Sequence, residues 1–198
     1  MNASEEHVCF YYEIGVGITQ WAHVERSILE VVGACVTTTD FNAIAHGFFA
    51  IENFRSKLSF ADSIVRKSQV NASTTSEWNT LVNRAEIAAK LRNRIAHLSV
   101  MGYPSNAAGR RYCLQPRIPT KLGKPSKTPK PPSGAMCLSE IVAARYTFFA
   151  LMVSLQNYAS RLRGQAETFP TSAEKPQRPP SIKTMKLQLQ GLVGAQPK

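Results

Sequence analysis

From Trp78 to Ile95 an apolar residue returns every three or four positions: Trp78, Leu81, Ala85, Ala88, Leu91 and Ile95. At 3.6 residues per turn these fall on one side of a helix, and such a stripe has to be covered by something equally apolar. Three other stretches repeat the signature. Ile14, Ile18, Trp21, Val24, Ile28, Val31 and Cys35 form the first stripe, ended by the threonine run 37–39. Phe41, Ile44, Phe48, Ile51 and Leu58 form the second, with Asp40 placed to cap it and Glu52, Arg55 and Lys57 near its middle. Ile141, Ala144, Phe148, Leu151, Leu155, Tyr158 and Leu162 form the last, after a Ser139 cap. At the head of the Trp78 helix, Thr74 with Glu77 fits a capping box and Ser76 is a rival cap. Four such stripes can close one core, so the expected fold is all-α: a four-to-five-helix up-and-down bundle.

Between the third and fourth stripes the pattern changes. "LSVMGY" and "RRYCLQPRI", separated by "PSNAAG", are short and rich in β-formers, which predicts a small β-hairpin. "PTKLGKPSKTPKPPSG" follows, with many prolines and no apolar period, and reads as an extended basic loop. The expected organisation is a helical domain over 1–164, with a basic Pro-rich loop at 104–137 before the last helix, and a disordered basic tail at 165–198.

Charge is unevenly divided. Residues 1–103 hold 9 Lys/Arg and 10 Asp/Glu, whereas residues 104–198 hold 15 and 3. A near-neutral helical part joined to a strongly basic part suits a polyanionic partner, although basic linkers also serve solubility alone. No uninterrupted apolar run reaches the roughly 18 residues of a membrane span, and the acidic N-terminus lacks the basic start of a signal peptide. A cytoplasmic protein with no membrane partner is expected. The four cysteines, Cys9, Cys35, Cys113 and Cys137, are far apart in sequence. They read as reduced thiols, about half of them in the core, and no ligand spacing calls for a metal or cofactor.

The Trp78 helix finishes on "RNRIAH", residues 92–97. Asn93 and Arg94 lie four and three residues before His97 and share its face, whereas Arg92 is five away, about 140° round the axis. One helix does not aim Arg92 and His97 at the same atom, but two copies facing each other across a two-fold axis can. Metal-free RNA cleavage needs a group that takes the 2′-hydroxyl proton and one that protonates the leaving 5′-oxygen, and histidine does either near neutral pH. Arginine supplies a permanent, forked positive charge for the phosphorane oxygens. The negative end of the helix opposes anion binding, so the arginines must outweigh it. A solvated helix end, with basic side chains complementing the last carbonyls, is the plainer alternative.

"RNRIAH" resembles the R-x4-6-H motif of HEPN domains, and its place at the end of a long third helix, "WNTLVNRAEIAAKLRNRIAHLSV", within a four-helix pattern is similar to that family's arrangement. The likeness spans roughly residues 8–164, with the motif as its specific part. It implies an all-α homodimer with both motifs in one cleft, RNA as substrate, and a metal-independent endoribonuclease leaving 2′,3′-cyclic phosphate ends. It also implies a role as toxin, antiviral effector or RNA-processing factor, with an antitoxin protein as partner in the toxin case. Arg92 and His97 match the catalytic pair and Asn93 the polar residue after the arginine. Other HEPN domains bind nucleotides or act as scaffolds without cutting. The hairpin and basic loop stand outside the family's core pattern.

Arg94 and Glu52 are supporting candidates, Glu52 by reaching the motif from the second helix or, more plainly, as a salt-bridge residue. His46, in "AIAHGFF", reads as a partly buried core histidine, and His7 and His23 as structural ones. Trp21 and Trp78 lie on apolar stripes and belong in the core.

Overall fold

In a computed structural model the chain is a mainly helical bundle; the residues described are 3–36, 40–68, 71–105, 109–116 and 134–165. Its elements are α1 (Ala3–Cys35), α2 (Phe41–Ala50), α3 (Phe54–Lys67), α4 (Ala72–His97), β1 (Ser99–Ser105), β2 (Gly109–Gln115) and α5 (Leu138–Leu162). The threonine run, most of the basic loop and residues 166–198 of the tail lie outside the described residues.

Side-chain pairs fix the directions. Glu13 meets Arg145, and Arg163 donates to the Glu30 carbonyl, so α1 and α5 run parallel. Glu77 pairs with Arg161 and Arg84 donates to Ser154, so α4 runs against α5. Trp21 packs on Phe54 and Glu25 binds Lys57, so α3 rises beside α1. Short α2 returns the chain from the end of α1 to the start of α3, completing the up-and-down order. A Cβ on Gly33 of α1 would lie 2.5 Å from Phe41 Cε2 at the start of α2, so a larger residue there would make the exposed Phe41 ring shift.

The expected second helix is two helices. Ile51 leaves the helical region, with φ −73° and ψ 117°, and Asn53 caps α3 by accepting from the Ser56 N–H at 2.8 Å. Glu52 therefore sits in the break rather than mid-helix. Phe48 before the break and Leu58 after it both face the core, whereas Phe41 at the start of α2 is exposed. Asp40 does cap α2, accepting from the Ala43 N–H. The cap of α4 is Asn71, whose side chain accepts from both the N–H and the hydroxyl of Thr74; neither Thr74 nor Ser76 has that role. Cys137, not Ser139, precedes the first turn of α5, and its N–H donates to Glu140 at 2.7 Å.

Trp78, near the start of α4, and Tyr158, near the end of α5, stack in the core with centroids 5.7 Å apart, and Phe10, Phe48 and Phe148 are also fully buried. Each such side chain contributes on the order of 1.5–3 kcal/mol by leaving water. Trp21 is buried as expected, but Ile18 is exposed, because α1 turns Phe10, Glu13 and Gly17 inward instead. His46 and His23 are exposed, contrary to the packing role expected of them, since α2 and α1 turn those positions outward. His7 packs between Tyr11 and Tyr112 and so is structural. By length and apolar content α5 could cross a membrane; more than half of that apolar window is buried inside this bundle.

The predicted hairpin is present. β1 and β2 pair antiparallel from Ser99 with Gln115 to Ser105 with Gly109. Arg111 of β2 binds buried Glu6, which anchors the hairpin to the first turns of α1.

Candidate functional site

Arg92 and Asn93 occupy the last two turns of α4, where that helix passes the start of α3. Their side chains open on a cleft of about 790 Å³ between the two helices. The other wall is the break and first turns of α3, including Glu52, Asn53 and Arg55. The Arg92 guanidinium carbon lies 5.9 Å from the centre of the Trp21 ring, and its Nη1 donates to Asn93 Oδ1 at 3.0 Å. Trp21 is in turn fixed by its own N–H, which donates to Glu25 at 2.9 Å, and Glu25 receives Lys57 at 2.7 Å. Arg92 thus rests on a braced ring, with a neighbouring amide holding its fork. Among the described residues no carboxylate pairs with it.

The cleft carries charge of both signs. Arg55, Lys90 and Arg92 face Glu25, Glu52, Asp62 and Glu86. Two of these carboxylates are already neutralised, Glu25 by Lys57 and Asp62 by Arg66, which leaves Glu52 and Glu86 to oppose an anion. The negative end of α4 stands beside the positive start of α3, and the two partial charges offset each other near Arg92.

The remaining motif residues diverge. His97 is the last residue of α4, exposed, one turn beyond Asn93 and outside the cleft lining. It forms no hydrogen bond or ion pair among the described residues. Arg94 points away from the cleft and donates to the Gly134 carbonyl at 3.0 Å, tying the end of α4 to the lead-in of α5. A single chain therefore assembles Arg92 and Asn93 with Glu52, leaves His97 apart from Arg92, and commits Arg94 to structure. This separation is what the 140° offset dictates.

Sequence reasoning did not place Trp21 under Arg92, nor the start of α3 opposite it. Asn53, with Ser56 three residues on, was the readable signal for the helix start. Among the described residues no cluster of three or more His, Cys, Asp or Glu side chains is arranged to hold a metal. No family model, curated protein or solved structure matches this chain, so its site is read from its own residues.

Proposed function

We propose that the chain is a HEPN-type, metal-independent endoribonuclease that works as a homodimer in the cytoplasm. The observation that carries this reading is Arg92: braced on Trp21, held by Asn93, unpaired with any described carboxylate, and open to a cleft of nucleotide size. His97 stands ready one turn further along the same helix. In a symmetric pair the His97 of one copy approaches the Arg92 of the other. The imidazole then moves the proton between the 2′-hydroxyl and the 5′-oxygen. Arg92 stabilises the phosphorane, and the products are a 2′,3′-cyclic phosphate and a 5′-hydroxyl. The basic segments supply non-specific affinity for RNA. Such an activity fits a toxin–antitoxin pair or antiviral defence, with an antitoxin protein as the controlling partner.

The test is cleavage of structured RNA in EDTA by the parent, His97→Ala and Arg92→Ala proteins. Either substitution is expected to lower the rate by 10²-fold or more, as general acid–base and oxyanion groups do. Undiminished cleavage by His97→Ala, or a strictly monomeric parent in sedimentation, would sink the proposal. One observation favours a second reading: Glu52 and Glu86 line the cleft, and His97 does not. This reading is a non-catalytic dimer that binds RNA, a nucleotide or a partner protein. RNA retained on the parent but never shortened would select it.

A further inference from the structure

Leu114 of β2 and Met136, which lies just before α5, exchange both backbone hydrogen bonds at 2.8 Å. This is a hydrogen-bonded antiparallel pair, and one step along it Cys113 stands opposite Cys137. Cys137 keeps extended backbone, with φ −84° and ψ 167°, so the strand geometry reaches it. Directly opposed residues at such a non-hydrogen-bonded position have Cα atoms about 4.5 Å apart. Their side chains leave on the same face. A disulfide spans Cα separations of about 4.4–6.8 Å. Both residues are thiols here, Cys113 buried beneath the hairpin and Cys137 half-buried with its Sγ 3.0 Å from Ser139 Oγ. Burial pushes the Cys113 thiol up, and negative charge on Cys137 and Glu6 adds to it.

We propose that Cys113 and Cys137 are an oxidation site that closes reversibly to a disulfide between β2 and the head of α5. Hydrogen peroxide is the oxidant. The accessible Cys137 thiolate attacks its O–O bond, becoming a sulfenic acid and releasing water. Cys113 then attacks that sulfur and expels a second water, so two thiols and one hydrogen peroxide give one disulfide and two waters. A dithiol reverses the reaction by exchange. The bond closes a ring around the 23 residues 114–136, which hold five Lys/Arg and no Asp/Glu. It also stiffens the lead-in to α5, whose Gly134 carbonyl Arg94 grips. The redox state is thereby coupled to the end of α4, and the inference holds whether or not the chain cuts RNA.

The experiment is exposure of the full chain to stoichiometric hydrogen peroxide, followed by alkylation in denaturant and non-reducing digestion with mass spectrometry. The expected result is loss of two of the four thiols and a peptide pair joining Cys113 to Cys137, both reversed by dithiothreitol. The oxidised parent should also melt several degrees higher, and Cys137→Ser should show neither the pair nor the shift. The linked peptides are read in the parent itself, so the result does not depend on the variant folding. Full alkylation of Cys113 after oxidation, or bridges from Cys137 to Cys9, to Cys35 or to a second chain, would overturn the proposal.

Discussion

Replacing Lys57 with methionine probes the brace beneath the candidate site. The Lys57 ammonium is 2.7 Å from Glu25 Oε2, and the two side chains are only 9% and 15% exposed. Methionine keeps the length and apolar stem, so the change is chiefly the loss of a charge. Lys57 also lies 5.6 and 5.5 Å from the Phe48 and Phe49 ring centres. Cation–π contacts of about 0.5–1 kcal/mol each are lost there, and sulfur–aromatic contacts of about 0.3–1.5 kcal/mol replace them. These roughly cancel, which leaves the Glu25 carboxylate stranded. Breaking a buried pair costs about 3–5 kcal/mol and an exposed one about 0–1. With the pair near the buried end of that range, Lys57→Met should lose about 3 kcal/mol. Glu25→Gln in the same protein removes the stranded charge and keeps an acceptor for Trp21, so the double variant should recover at least about half of that loss. Urea unfolding of the parent, both single variants and the double variant, followed by circular dichroism near neutral pH, measures all four corners. A loss under about 1 kcal/mol for Lys57→Met, or strictly additive losses, would refute the argument.

Asn71→Ala should cost about 1 kcal/mol in thermal or urea unfolding, whereas Ser76→Ala should cost almost nothing, because only Asn71 caps α4. Burial raises the Glu13 carboxyl above its ordinary 4.5, the nearby Arg145 opposing this, so the fold holds that proton more tightly than the unfolded chain does. Stability from this group is full below 4.5 and is lost as pH rises through the raised value; Glu13→Gln should flatten that part of the stability–pH curve. Glu140 has the opposite sign: the Cys137 N–H bond lowers its carboxyl, and the resulting stabilisation is present above 4.5 and lost as pH falls through the lowered value. Because Glu140 is exposed, Glu140→Gln should remove no more than about 1 kcal/mol, visible only as a weaker acid dependence of the melting temperature.

The apolar period carried the long helices well. Five of the six residues of the Trp78 stripe are buried and Leu91 is partly so, since α4 has neighbours along one side for its whole length. Periodicity failed where two elements share one covered face. Phe48 and Leu58 both point inward, so nothing in their spacing marks the break at Ile51–Asn53; only the Asn53 cap does. Caps were misassigned wherever Ser or Thr competed with a nearby residue, because the choice depends on where the preceding chain arrives. At the motif, the 140° offset between Arg92 and His97 was legible as geometry. Glu52 was legible as a residue that could reach the motif, but the cleft's other carboxylates Glu25 and Asp62 were not, because they come from α1 and α3, which only the fold brings beside the end of α4. The Cys113–Cys137 opposition was equally hidden, since 23 residues intervene and only the Leu114–Met136 bridge brings the ends together.

The side-by-side course of α1 and α5 also bears on how the molecule is made. Among the described elements they are the first and last helices, and they share the most extensive helix–helix contact. During synthesis the part of α1 that α5 covers therefore waits for α5, while α3 and α4 can already cover the rest. A nascent chain halted near the hairpin leaves the apolar strip of α1 that faces α5 without its native cover, the kind of transiently exposed surface that favours aggregation.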